Sequence, residues 1–173
     1  MNFDLARTIE ILPQTPYTLT RMLDDLSPEW TESLGDPENW SPHDVIGHLI
    51  HCEETDWIAR SKIILAQGES KTFVPFDRLA QFDRPEENKL ADLLTEFARL
   101  RNGNLEMLVR FELTPTKLAL KGIHPTLGEV TLQQLLSTWA VHDLGHIRQI
   151  VTFMARKYQE NVGPWREYLS ILV

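Results

Sequence analysis

The chain has 173 residues, 42% hydrophobic and 24% charged, which is ordinary soluble globular usage and enough for one sizeable core, so a single domain over residues 1–173 is expected. Twenty-five acidic residues against 17 basic ones give a net charge of −8 and a pI near 5.2, which leaves no large basic surface for a phosphate backbone and argues against a nucleic acid partner. Cys52 is the only cysteine, so no intrachain disulfide can form and a reducing cytoplasm fits best; no leader-like segment and no apolar run approaching about 18 residues points to export or to a membrane.

Residues 3–26 carry apolar positions at Leu5, Ile9, Leu12, Leu19, Leu23 and Leu26, a helical spacing. Pro13 and Pro16 interrupt it, so the segment is either one kinked helix or a short helix followed by a longer one, with Thr15-Pro16 as a cap and first-turn pair. Residues 27–41 are rich in turn formers and read as a connector. Ser41-Pro42-His43-Asp44 has the signature of a helix start, with Ser41 as N-cap and Asp44 as the capping-box acid. That second helix runs to about Ala66 and closes at Gln67-Gly68.

Residues 69–86 form a long crossover containing Phe73, Phe76 and Phe82; loops of this length inside a compact domain are commonly functional or held down by their own side chains. The spacing of Leu90, Leu93, Leu94, Phe97, Leu100, Leu105 and Leu108 predicts a third helix over 87–110, weakened locally by Gly103. Residues 111–130 read as irregular. Thr131 can cap a fourth helix reaching about Lys157, and the tail from Gly163 adds a final turn or short helix. Four amphipathic segments with almost no strand pattern predict an all-α four-helix bundle with long crossover connections.

The chemistry gathers on two of these helices. His142 and His146, four residues apart, share the apolar face of the fourth helix with Leu135, Trp139, Ile150 and Phe153, since i and i+4 lie one above the other. His48 shares the apolar face of the second helix with Val45, Leu49 and Cys52. Buried imidazoles need a partner. They can be hydrogen-bonded core residues, or they can converge on a metal ion near the bundle axis. Three histidine ligands leave an open position, as catalytic rather than structural sites do.

The stretches Glu38-Asn-Trp-Ser-Pro-His-Asp-Val-Ile-Gly-His48-Leu, His124-Pro-Thr-Leu-Gly-Glu-Val-Thr-Leu and Trp139-Ala-Val-His-Asp-Leu-Gly-His146-Ile-Arg-Gln-Ile, in this order and separation, resemble the DinB superfamily of four-helix-bundle proteins, with its YfiT-like metal-dependent hydrolases. The resemblance covers most of the chain. It implies metal ligands at His48, His142 and His146 and a divalent ion that is nickel, zinc, iron or manganese. It also implies chemistry of the kind done by thiol-dependent S-transferases and a maleylpyruvate isomerase, relatives that use low-molecular-weight thiols. The leading expectation is therefore a metal-dependent thiol transferase acting on a small electrophile. A metal-dependent hydrolase and a non-enzymatic metal- or ligand-binding bundle are the alternatives. A homodimer is a further implication of the resemblance.

Neighbouring residues carry open alternatives. Asp143 could accept from an imidazole N–H or pair with Arg148 or solvent. Cys52, one turn beyond His48, could be a fourth ligand or a reactive thiol, or more simply a buried core cysteine. His124 could reach the mouth of the bundle or only shape a turn. Glu54 could face the site, with a solvated acidic face the simpler reading. His43 and His51 are expected at the surface, and Trp40, Trp57 and Trp139 in the core, with Trp139 a possible pocket wall.

Overall fold

The computed structural model describes residues 3–32, 38–68, 70–83 and 89–172. The N-terminal segment is two helices, not one kinked one: α1 (Leu5–Ile11) and α2 (Gln14–Leu23). Asp4 caps α1 by accepting from the Arg7 backbone N–H, while α2 starts from Pro13 rather than from the expected Thr15. A short α3 (Pro28–Thr31) follows. The predicted capping box at Ser41 and Asp44 is present and opens α4 (Pro42–Thr55).

The expected single helix over 41–66 is broken at Asp56, whose φ of −104° and ψ of −81° leave the helical basin, and it resumes as α5 (Trp57–Ala66). No proline or glycine causes the break. At the break the Thr55 hydroxyl donates to the His51 carbonyl at 2.8 Å. Gln67, with φ of 48°, ends α5 in the left-handed region, so the stop falls one residue before the glycine. Part of the crossover and the expected start of the third helix at 87 lie outside the described residues; helix α6 (Leu90–Arg110) is described from Leu90.

Residues 111–130 are more ordered than their composition suggests. They hold α7 (Pro115–Leu118) and an antiparallel hairpin of β1 (Lys121–His124) and β2 (Gly128–Thr131), with Gly122 opposite Val130. Four-residue strands are too short to show a two-residue hydrophobic period, which is why the pattern does not reveal them. Thr131 then caps α8 (Leu132–Arg156) in a second capping box with Gln134. The tail adds two 3-10 turns, Gly163–Tyr168 and Ser170–Leu172.

Helices α2, α4 with α5, α6 and α8 form a four-helix bundle: α4 lies along α6, α2 touches both α6 and α8, and α5 and α4 both pack on α8. Two apolar clusters fill it. One gathers Cys52, Trp57, Ile64, Leu108, Leu135 and Trp139; the other gathers Leu19, Val45, Leu49, Leu94, Phe97 and Ile150. Along α8 the first cluster stops at Trp139 and the second begins at Ile150. His142, Asp143 and His146 fall between them. On α6, Arg101 lies in the same way between Phe97 and Leu108. A polar layer therefore crosses the middle of the bundle.

The hairpin also fixes the crossover. The Phe73 N–H donates to the Ile123 carbonyl at 2.9 Å, and the Ile123 N–H donates to the Lys71 carbonyl at 2.7 Å. The buried Phe73 ring then sits over Gly122, where a Cβ would stand 2.5 Å from the ring and 2.9 Å from Ile64 Cγ1. Gly122→Ala is accordingly expected to destabilise the fold by about 1–3 kcal/mol, the usual range for overpacking, as read by urea denaturation. Among the described residues no helix is long and apolar enough to cross a membrane.

Candidate metal centre

The one-turn spacing of α8 and the packing of α4 against it bring the three predicted histidines together. Their ligand nitrogens all lie within 4.8 Å of one another. His142 Nε2 is 3.4 Å from His48 Nε2 and 3.1 Å from His146 Nε2. His48 is buried, and His142 and His146 are half-buried.

Burial, and secondarily the neighbouring imidazoles, push His48 and His142 down to about 3; burial also lowers His146. All three rings are therefore neutral at physiological pH, the form that carries a lone pair. His146 Nδ1 meets Gln149 Oε1 at 2.9 Å. An amide oxygen only accepts, so the His146 proton sits on Nδ1 and its Nε2 lone pair faces the cluster.

These residues fit a divalent ion. Nitrogens held at about 2.0–2.1 Å by a tetrahedral ion stand roughly 3.3 Å apart, close to the spacings seen. Without an ion, the three Nε2 nitrogens compete for one another's protons. With all three Nε2 atoms as donors of lone pairs to one cation, the contacts at 3.1 and 3.4 Å cease to be a conflict.

A cavity of about 790 Å³ opens above the cluster, a size that suits a small-molecule ligand. Trp40 and Phe76 form its apolar walls. The Trp40 ring lies parallel to that of His146 within 1°, and the Phe76 ring meets His48 edge-on at 5.5 Å. Asp56 and Arg60, paired at 2.9 Å, also line the cavity. Burial outweighs the guanidinium there and raises Asp56 to about 6.

The neighbouring candidates sort differently. Asp143 is buried but turns away from the imidazoles, and its partner is neither a histidine, Arg148 nor solvent: its carboxylate accepts from Arg101 at 2.6 and 3.1 Å. Cys52 lines the cavity with Sγ 3.5 Å from His48 Nε2, yet it stands outside the three-nitrogen cluster. Burial, reinforced by Asp56 and Glu53, pushes its thiol up, so it is neither a fourth ligand in this arrangement nor a ready nucleophile.

His124 does both things considered for it: it lines the cavity, and its Nδ1 accepts from the Thr126 and Leu127 backbone N–H groups in the hairpin turn. Glu54 is exposed. His43 and His51 are half-buried rather than at the surface, with the His51 ring 4.9 Å from that of Phe76. Trp57 and Trp139 are core residues, stacked at 5.7 Å, whereas Trp40 belongs to the cavity.

Gln149, Arg101 and the pairing of Glu53 escape the sequence reading. Gln149 follows His146 by three residues, a spacing that places the two side chains in reach. Arg101 stands where the apolar stripe of Leu94, Phe97 and Leu108 calls for another hydrophobic residue, and that misfit is its signal.

A family model for the DinB superfamily matches residues 11–150. Among solved structures the chain is similar to YfiT from Bacillus subtilis at 21% identity and a TM-score of 0.69, over 88% of this chain and 86% of that one. YfiT is described as a probable metal-dependent hydrolase with an unusual four-helix bundle topology. No curated protein matches the chain.

Proposed function

The chain belongs to the DinB superfamily, and we propose that within it the chain is a metal-dependent enzyme acting on a small molecule, with His48, His142 and His146 holding one divalent ion. The observation that carries this reading is the convergence of three neutral imidazoles, from two helices, on the floor of an open cavity. Three imidazoles accept nickel, zinc, iron or manganese, and three protein ligands leave room for a substrate. Bound there, such an ion supplies an activated nucleophile at neutral pH and polarises a substrate oxygen. The chain's own residues do the rest. Gln149 holds the His146 ring in its orientation, Trp40 and Phe76 shield the histidines from bulk water, and the cavity walls align the substrate.

Hydrolysis is the reaction class supported by what is said of YfiT. Thiol transfer is the second reading; Cys52 is buried and stands outside the three-nitrogen cluster, so in that reading the sulfur comes from a diffusible low-molecular-weight thiol. Chain loaded with each of the four ions, and chain stripped by a chelator, are compared for hydrolysis of 4-nitrophenyl acetate and for conjugation of glutathione to monobromobimane. At least roughly a hundredfold metal-dependent acceleration of one reaction is expected, as general for a metal-activated nucleophile. Ester turnover alone selects the hydrolase and bimane conjugation alone the transferase. Equal rates in loaded and stripped chain for both would overturn the enzymatic reading and leave a metal-binding bundle.

A further inference from the structure

The wall of the cavity carries two guanidiniums from different parts of the chain. Arg60, on α5, is already paired with Asp56 at 2.9 Å. Arg78 comes from the crossover, two residues after Phe76, and lines the same cavity. No carboxylate pairs with it among the described residues, although the chain has 25 acidic residues for 17 basic ones. The other carboxylate on the wall, Glu38, has a partner of its own.

Arg78 is an exposed residue on a turn of the crossover, which is tied to the hairpin upstream of it. Residues 71–73 bond to β1 through the Lys71 carbonyl and the Phe73 N–H, and the Asp77 carboxylate accepts from the Leu79 N–H at 2.9 Å, closing the turn around Arg78. His124 lines the same cavity. Its Nδ1 accepts from two backbone N–H groups, so its proton is on Nε2, which makes it a second donor on the wall. Trp40, Phe76 and Pro125 add apolar surface to the same wall. The wall thus offers a cation with no carboxylate partner among the described residues, a neutral N–H donor and aromatic surface.

We propose that the cavity selects a small organic acid, whose carboxylate or phosphate is received by Arg78 with His124 beside it and whose apolar body lies along Trp40 and Phe76 toward the histidines. This names the substrate class of the site proposed above and rests on that reading for the reacting end. An Arg guanidinium suits either oxyanion, since its fork can meet two oxygens at once.

The test is calorimetric titration of phenylacetate, phenyl phosphate and the neutral phenylacetamide into zinc-loaded and metal-stripped protein, each as the parent and as Arg78→Gln, with zinc content measured in parallel. The acids are expected to bind the parent more tightly than the amide. Arg78→Gln should weaken the acids roughly ten- to hundredfold, the loss typical of one charge-assisted hydrogen-bonded pair, and leave the amide and the zinc content unchanged. Arg78→Lys should recover part of the loss, because it restores the charge without the fork. Equal binding of acids and amide, or acid binding that survives Arg78→Gln, overturns the proposal; an acid preference that needs zinc but not Arg78 does so too, by placing the anion on the ion itself. An Arg78-dependent preference that persists in stripped protein keeps the anion site even if the metal reading fails.

Discussion

Replacing His142 and His146 together with alanine is expected to leave the helix content unchanged by circular dichroism and to take bound metal from near one ion per chain to almost none. The fold should survive because both positions lie inside α8, where alanine is the best helix former. Both side chains are also only half-buried beside an open cavity, so their removal enlarges an existing space and creates no closed void. Metal should be lost because two of three nitrogens go at once. A structural zinc site of four ligands is worth about 10–16 kcal/mol, or roughly 3 kcal/mol per ligand, so losing two weakens binding by about four orders of magnitude. Inductively coupled plasma mass spectrometry on untagged protein reads the difference directly. Metal retained in the double variant would place the ion elsewhere. A parent that keeps none of nickel, zinc, manganese or ferrous iron after reconstitution would make the three histidines hydrogen-bonded members of the polar layer and end the metalloenzyme reading.

What could be read from the chain follows the length scale of each signal. The amphipathic helix pattern, the capping box at Ser41 and the N-cap at Thr131 are local signals, and they appear where the spacing places them. The three histidines were legible for the same reason, since two share a helix face and the third lies on the facing helix. The break at Asp56 is not legible, because no proline or glycine announces it. The hairpin was missed because each strand has only four residues, and what stabilises it is non-local: the Phe73 ring over Gly122 and the backbone pairing with Lys71 and Phe73. The partner of Asp143 is not among the alternatives its neighbours suggest, because Arg101 is 42 residues away in sequence. Arg78 and His124, which reach one cavity from the crossover and from β1, have no common sequence signal.

Arg101 carries the largest expected effect on stability. Its side chain is 0% exposed. The guanidinium donates to Glu53 Oε1 at 2.7 and 3.0 Å, to Asp143 at 2.6 and 3.1 Å, and to the Leu12 carbonyl at 2.6 Å. Asn104 and the Trp139 indole N–H complete the shell of Glu53. One side chain thus ties α4, α6, α8 and the end of α1 beside the residues that flank His142 and Cys52. Arg101→Met keeps the volume but leaves two buried carboxylates without their cation, and removing one partner of such a group costs about 3–5 kcal/mol. Urea denaturation should therefore show a large fall in midpoint at neutral pH.

The loss should depend on pH in a definite direction. Burial already raises Glu53 despite the opposing pull of Arg101, and deleting the guanidinium raises it further. A carboxyl whose folded pKa lies above its unfolded one contributes stability that is present when it is protonated and is lost as pH rises through the folded value. The deficit of Arg101→Met relative to the parent should accordingly grow from acidic to neutral pH. Adding Glu53→Gln and Asp143→Asn removes both stranded charges and should return much of the stability, since neutral replacements of buried ion networks are often tolerated. A deficit that is flat with pH and not repaired by the amides would mean that Arg101 acts through packing against Phe97 and Trp139, whose rings each lie 5.1 Å from its guanidinium carbon, and that charge balance in the polar layer is not what holds the ligand helices in register.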